Sequence, residues 1–471
     1  MRRRGWLVGM LLLVSCTAKR PETVMAPEPG PDFPEVPVSF QVLPPQARWW
    51  ESFDDPGLTE QVVRALHHNP AALQALSRLK RAQAVLGGEA AARGPKLDAE
   101  LAVGRSRLVS QKDRETASIG LGVAYEVDFW GRLEGAEDKA RFLAQASEAD
   151  LASLYLSLAA EVGTLYFQRQ ADILRLDLLE EKRRVAVEFL TWTRQRYEKG
   201  LITLSEQIQA ETGLLALDAA SAEAGAALRV REHALHVLTG LAPGSRLDTG
   251  KGLPQDPPLL YGDGLSSELV RQRPDVHAAW LRVEAADRDV AMAVAERFPR
   301  FQLRADAAQA IEDTAGQFFS GGVWNIGVSL TAPLLDWGRR KALVKARQAA
   351  LEGAVEAWRE TVLTGLREMA DALVRNAAQD RVLTARRQQQ MQSDRDLERI
   401  CLRYEEGIAE YRELLVARTR SLEAADAVVQ AELERVRQRI TLARSVGGSW
   451  TAGILDSVLQ EEEMALSGSQ Q

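Results

Sequence analysis

At 471 residues the chain is long enough for about three average domains. Its 46% apolar and 27% charged residues nevertheless include no continuous apolar stretch of the roughly 20 residues that a membrane-spanning helix needs. A formal charge of −7 argues against a polyphosphate or nucleic-acid partner, and two cysteines, Cys16 and Cys401, give no disulfide framework. Stability has to come from packing.

The longest apolar run, Leu7 to Val14, is interrupted by Gly9 and follows the basic triplet Arg2, Arg3 and Arg4, so residues 1–15 read as an export signal. Its removal takes three arginines and no acid, which moves the charge from −7 to −10. Leu13-Val14-Ser15-Cys16 resembles a bacterial lipobox, in which the cysteine is lipidated and becomes the new N-terminus; a plain cleaved signal is the alternative. Thr17 follows, where an Asp usually retains lipoproteins at the inner membrane. The expected covalent lipid sits on Cys16, and no other cofactor is expected. Eight of the 18 prolines lie between Pro21 and Pro45, so residues 16–57 are expected to form an extended, Pro-rich tether.

From Leu58 an Ala- and Leu-rich helix is predicted, with Asp54-Asp55-Pro56 as capping chemistry and Gly94-Pro95 as its end. Two strictly alternating runs follow. Leu97, Ala99, Leu101 and Val103 alternate with Asp98, Glu100, Ala102 and Gly104, while Ile119, Leu121, Val123, Tyr125, Val127 and Phe129 alternate with small or charged residues. Each predicts a strand with one apolar and one wet face, and the polar turn Ser110 to Glu115 joins them into a hairpin over 97–129. A proline-free helix is predicted from about Leu133 to Lys199, with 3/4 spacings at Leu151, Leu154, Leu158, Val162 and Leu165. A return helix is predicted over Ser205 to Leu238. A second hairpin is predicted over 300–334, a second long helix from Arg339 to about Arg403 and a second return helix from Arg412 to Arg444.

These elements are a tandem duplication. Pro70 and Pro274 are 204 apart, as are Pro95 and Pro299, whereas Gly131-Arg132 and Gly338-Arg339 are 207 apart. Arg196-Tyr197-Glu198-Lys199-Gly200 and Arg403-Tyr404-Glu405-Glu406-Gly407 share the offset of 207. The three extra residues therefore fall in the second hairpin region, and the loop Glu312 to Gly322 is expected to be the longer one. The boundaries expected are 58–264 for the first repeat, 265–446 for the second and 447–471 for a C-terminal equatorial segment with a flexible tail.

Strands of roughly ten residues in an exported chain suggest membrane strands, since about 9 to 11 tilted residues cross a bilayer. Sheet edges cannot face lipid, and four strands cannot close a spanning barrel, so sister copies must complete the wall. A soluble four-stranded sheet covered by helices is the alternative.

At this point the sequence resembles a known family, the TolC-type outer-membrane factors of bacterial efflux and secretion systems, particularly their lipoprotein branch. The residues that carry the resemblance are Asp55-Pro56-Gly57-Leu58, Asn69-Pro70, Arg273-Pro274-Asp275-Val276, Phe298-Pro299, the segment Ala332 to Arg340 (APLLDWGRR), and the two Arg-Tyr-Glu-x-Gly tips. The resemblance implies a mainly α fold with a small β part: a long-helix barrel in the periplasm, continued by a trimeric twelve-stranded transmembrane β-barrel with four strands per chain. It also implies a homotrimer in outer-membrane lipid, docked to a periplasmic adaptor protein and an inner-membrane pump, acting as a passive exit duct for small molecules such as drugs.

For the tips it implies a periplasmic gate formed by Glu206, Glu413, Tyr404 and Ser205, with Tyr404 bonded across to Glu206. The family's further arginine is replaced by Ala409, facing Ser205. Ordinary complementarity of Glu206 and Glu413 to a helix dipole is the alternative. Gly200, Leu201, Gly407 and Ile408 are expected to meet the adaptor. The aromatics Phe129, Trp130, Trp337, Phe318, Phe319 and Trp324 fit interfacial girdles or, alternatively, burial against helices.

Catalytic chemistry is not expected. His233 and His236 lack a third ligand at a recognisable spacing, and His67 and His68 face different ways. Gly250-Lys251 lacks the rest of a phosphate loop, and no Gly-x-Ser-x-Gly elbow occurs. No metal site is expected. A lipoprotein scaffold with coiled coils and no pore is the competing non-enzymatic reading.

Overall fold

The computed structural model describes residues 48–106, 114–245, 250, 252–254, 268–314 and 317–468. The signal, Cys16 and the Pro-rich run to Pro45 lie outside the described residues, as does most of the turn after Ser106. The described chain falls into two compact units.

The first unit, made from Gly88–Lys139 and Val283–Arg359, is built around one antiparallel sheet. Strands β1 (Lys96–Ser106) and β2 (Arg114–Val127) form the first hairpin, and β3 (Arg300–Thr314) and β4 (Gln317–Thr331) form the second. The order is β1-β2-β3-β4, so the two repeats pair through β2 and β3. The period-2 reading is correct in face and nearly so in boundary. One expectation fails: Glu312 to Gly322 is not a long loop, because the ladder continues through Glu312↔Phe319 and Gln309↔Gly322. The strands of the second hairpin have 15 residues each, against 11 and 14 in the first. Gly120 lets β2 and β3 approach closely, since a Cβ there would lie 2.9 Å from the Ala308 Cβ.

The second unit is drawn from the described residues of 48–87, 140–282 and 360–468. The first predicted helix is two, α1 (Pro56–His68) and α2 (Pro70–Ala91). Asn69 makes the break: its side-chain oxygen caps α2 by accepting from the Ala71 and Ala72 amides at 2.8 and 3.2 Å, and its amide donates to the Leu238 carbonyl at 2.9 Å. Asp55 caps α1 as expected, accepting from Gly57 N and Leu58 N. It also accepts from the Tyr166 hydroxyl at 3.0 Å, a tie across 111 residues with no local sequence signal.

The long helices α3 (Arg132–Glu198) and α7 (Arg339–Glu405) have 67 residues each, about 100 Å at 1.5 Å per residue. Each is followed by its return helix, α4 (Leu204–Leu238) and α8 (Tyr411–Val446). A short α5 (Glu268–Arg271) and α6 (Pro274–Ala295) open the second repeat, and α9 (Trp450–Gly468) closes the chain.

Two terminal expectations are revised. Residues 49–57 are folded rather than extended: Trp49–Phe53 forms a 3-10 turn with Trp49, Trp50 and Phe53 buried. The segment after 447 is helical, with Trp450, Ile454, Leu455 and Val458 buried. Three indoles and Phe167 form the aromatic centre here, with Trp50 edge-on to Trp49 at 5.7 Å and to Trp450 at 4.7 Å. The Arg-Pro-Asp-Val motif is also structural. Arg273 is buried, donates to Asp275 and Glu368 at 2.8 and 2.9 Å and to the Ser445 carbonyl at 3.1 Å, and so joins the start of α6 to α7 and α8.

Candidate functional site

Two regions carry chemistry beyond packing. The first is the sheet. Its register aligns Leu97, Val123, Ala305 and Ile326 in one row, Ala99, Leu121, Ala307 and Trp324 in the next, and Leu101 with Ile119 beyond them. The first two rows are apolar from edge to edge, Gln309 enters the third, and no described residue covers the face, with Leu101 74%, Trp324 76% and Ile326 73% exposed. The opposite face carries Asp98, Asp306 and Asn325 in one row and Lys96 and Arg304 in another. The outer edges of β1 and β4 have no strand partner among the described residues.

At the helix end of the sheet, Asp128 accepts from the Arg132 and Glu134 amides at 2.7 and 2.8 Å, and Asp336 from the Gly338 and Arg340 amides at 3.0 and 3.2 Å. Both carboxylates cap a long helix as the chain leaves a strand. The aromatics there divide. Trp130 stacks on Phe298 at 4.6 Å and donates to the Pro299 carbonyl at 2.8 Å, and Phe129 packs edge-on to Phe301. Trp337 is 90% exposed, with Leu334 and Leu335 exposed beside it. The Phe318 and Phe319 side chains lie outside the described residues.

The second region is the pair of tips. In each Arg-Tyr-Glu-x-Gly motif the glycine takes a positive φ, +68° at Gly200 and +70° at Gly407. The Gly200 amide donates to the Tyr197 carbonyl at 2.8 Å and the Leu201 amide to the Arg196 carbonyl at 2.9 Å. Gly407 and Ile408 repeat this on Tyr404 and Arg403 at 3.0 and 2.8 Å. These 5→2 and 6→1 bonds end a helix in a left-handed turn that only glycine adopts without strain, which is why the motif recurs. Leu201 and Ile408 are left largely exposed.

After the turns the tips differ. Thr203 and Glu206 form a reciprocal capping box on α4, the Thr203 amide donating to Glu206 Oε2 at 2.9 Å and the Thr203 hydroxyl at 3.1 Å. The Thr203 amide first, and then its hydroxyl, hold the Glu206 carboxyl below its ordinary range. The N-cap of α8 is Glu410, whose side chain makes no capping bond.

The expected hydrogen bond from Tyr404 to Glu206 is not formed within the chain. The Tyr404 ring lies 5.5 Å from Tyr411, and the Glu206 carboxylate faces Thr203 and, at 4.0 Å, Arg412. Glu413 lies 4.0 Å from Arg403 on its own tip, Ser205 is exposed and Ala409 is buried.

Arg412 was not singled out by sequence reasoning, nor were the residues that tie α3 to α8. Arg418 lies 2.5 Å from Glu181 and 3.5 Å from Glu188, and Glu188 also accepts from the Tyr411 hydroxyl at 3.3 Å. The Thr-x-x-Glu capping signature at 203–206 was readable in the sequence, and so was the seven-residue spacing of Glu181 and Glu188 on a coiled-coil helix.

Of the histidines, His236 is buried with Nε2 at 2.8 Å from the Ser245 carbonyl, a packing role. Among the described residues no three metal-capable side chains cluster.

A sheet with a bare apolar face, two open edges and a 67-residue helix leading from each hairpin defines the class of envelope channel subunits. The chain belongs to the outer membrane efflux protein family, whose sequence profile matches residues 62–241 and 265–448. It is 30% identical to the pyoverdine export outer membrane protein OpmQ of Pseudomonas aeruginosa over 434 residues, covering 86% of this chain and 87% of that one. It is also 30% identical to the outer membrane protein OprJ of the same species over 420 residues, with 86% and 87% covered. The solved outer-membrane channel OprN superposes with a TM-score of 0.79 at 28% identity, over 91% of this chain and 98% of that one. The protein is therefore an outer-membrane channel component of an efflux system. The family and its named relatives are efflux channels rather than enzymes.

Proposed function

We propose that three copies assemble edge to edge into a twelve-stranded barrel continued by a helical tunnel, a passive exit duct for small molecules such as drugs. The observation that carries this reading is the bare apolar sheet face bounded by two unpaired edges. Hydrocarbon suits that face, but unpaired amides and carbonyls at an edge cost several kcal/mol each in lipid, so β1 of one copy pairs with β4 of the next. The polar face then lines the lumen. Trp337 with Leu334 and Leu335 reaches the membrane interface, and a lipid on Cys16 reinforces the anchorage. The exposed Leu201 and Ile408, on rigid glycine turns at Gly200 and Gly407, meet a periplasmic adaptor that bridges to an inner-membrane pump. Energy comes from that pump.

The tips act as the periplasmic gate, with Glu206 and Glu413 from three chains placing six carboxylates around the entrance and Ser205 and Tyr404 beside them. In this chain the cross-tip link is Arg412 to Glu206. Because the folded-state value of Glu206 is lowered, the link persists at and above the ordinary carboxylate range and is lost as pH falls through that lowered value. In planar bilayers the purified protein is expected to give discrete conductance steps, whereas a scaffold without a pore gives none. Glu206→Ala and Arg412→Ala should each raise the open fraction, acidification below the carboxylate range should do the same in the parent, and Tyr404→Phe should change little. An open fraction indifferent to Glu206→Ala would remove the gate from these residues.

A further inference from the structure

Among the cavities of the helical unit, one of about 770 Å³ lies where α3, α4 and α8 converge behind the tips. That volume falls within the range of sites that hold drug-sized molecules. Its inner wall is apolar: Val185, Ala210 and Leu415 are buried there.

Along α3 the cavity is lined by Phe189, Trp192 and Arg196, whose spacings of three and four place them on one helix face. Phe189 and Trp192 stack with ring centroids 5.8 Å apart and planes 23° apart, and the Arg196 guanidinium carbon lies 5.0 Å from the Trp192 ring centroid. Two flat apolar surfaces therefore run into a flat cation. Arg196 Nε is shielded from solvent and has no hydrogen-bond partner among the described residues. A buried guanidinium N–H without an acceptor is a cost that an incoming acceptor relieves. The other cations lining the cavity include Lys182, within 3.8 Å of Asp426, and Arg412, within 4.0 Å of Glu206. Arg420, Glu410 and Glu423 are exposed at the rim, where solvent screens them.

We propose that this cavity is a binding site for a planar aromatic anion, whose ring stacks on Phe189 and Trp192 while its carboxylate or sulfonate accepts from Arg196. Stacking selects flatness, the guanidinium selects negative charge, and the volume admits a molecule of two or three fused rings. No residue of the sheet lines the site, whereas Leu201, Glu206 and Arg412 of the tips do.

The test is calorimetric titration of the full-length protein in lipid nanodiscs with 2-naphthoate, alongside the uncharged 2-naphthamide. The expected result is saturable binding of one naphthoate per chain, with 2-naphthamide at least tenfold weaker. Arg196→Gln should remove the preference for the anion, and Trp192→Leu should weaken both compounds at least tenfold. Trp324→Leu, on the sheet, should change neither. Arg196→Gln keeps the helix length and polarity, so it remains informative if Trp192→Leu assembles poorly. Non-saturable uptake, or equal affinity for the acid and the amide in the parent protein, would overturn the proposal.

Discussion

Ile326→Arg should prevent stable insertion, while Asn325→Arg, one residue away, should be tolerated. Neighbouring strand residues face opposite sides of the sheet, so the two substitutions place the same charge on opposite faces. Ile326 shares its row with Ala305, Val123 and Leu97, in the middle of the apolar face, and is 73% exposed within the chain. An arginine on a lipid-facing position near the bilayer midplane costs about 2–4 kcal/mol in barrels of this kind, and assembly would incur that cost once per copy. Asn325 shares its row with Asp306, Gly122 and Asp98, where a guanidinium meets water and carboxylates. The measurement is the yield of heat-modifiable, folded protein in the outer membrane. A normal yield from Ile326→Arg would show that this face does not contact lipid.

The second large effect is expected in the helical unit. Trp50 is fully buried between Trp49 and Trp450, and these contacts hold the first described residues of the chain against its last helix. Trp50→Ala should destabilise the helical unit by about 3–5 kcal/mol, the usual range for emptying a large aromatic site. The Trp50 indole N–H has no hydrogen-bond partner among the described residues, so Trp50→Phe loses area and edge-on contact but no polar bond to them and should cost distinctly less. Denaturant titration of both variants separates the outcomes: equal and small losses would mean that the N-terminal segment is held by Asp55 and Tyr166 instead.

How much of this was legible in the sequence depends on the range of each signal. The strands were readable because alternation is local: Leu97, Leu101, Ile119 and Leu121 declare a face without reference to their partners. The long helices were readable for the same reason, and glycine at 200 and 407 marked their ends. The order of the sheet was not, because the pairing of Ile119 with Gln309 joins residues from separate repeats and leaves no trace in either.

The tips show the same division. The Thr203–Glu206 box lies within four residues and could have been found, while the Arg418 bridge to Glu181 and Glu188 depends on how two helices over 200 residues apart face each other. The Tyr404 link is not made within the chain because an analogy of position does not fix rotamers: Tyr404 has Tyr411 beside its ring, and Glu206 is turned back onto its own cap. The loop expected at Glu312 to Gly322 became strand because Ile311 and Val323 extend the alternation on the two sides of a short turn.

The central claim is that one chain supplies four strands of a wall that other copies complete. Native mass spectrometry of the full-length protein released from lipid nanodiscs tests it most directly. The account predicts a single assembly of three chains that survives until the sheet unfolds. A folded, membrane-inserted monomer, or an assembly with a stoichiometry other than three, would contradict it.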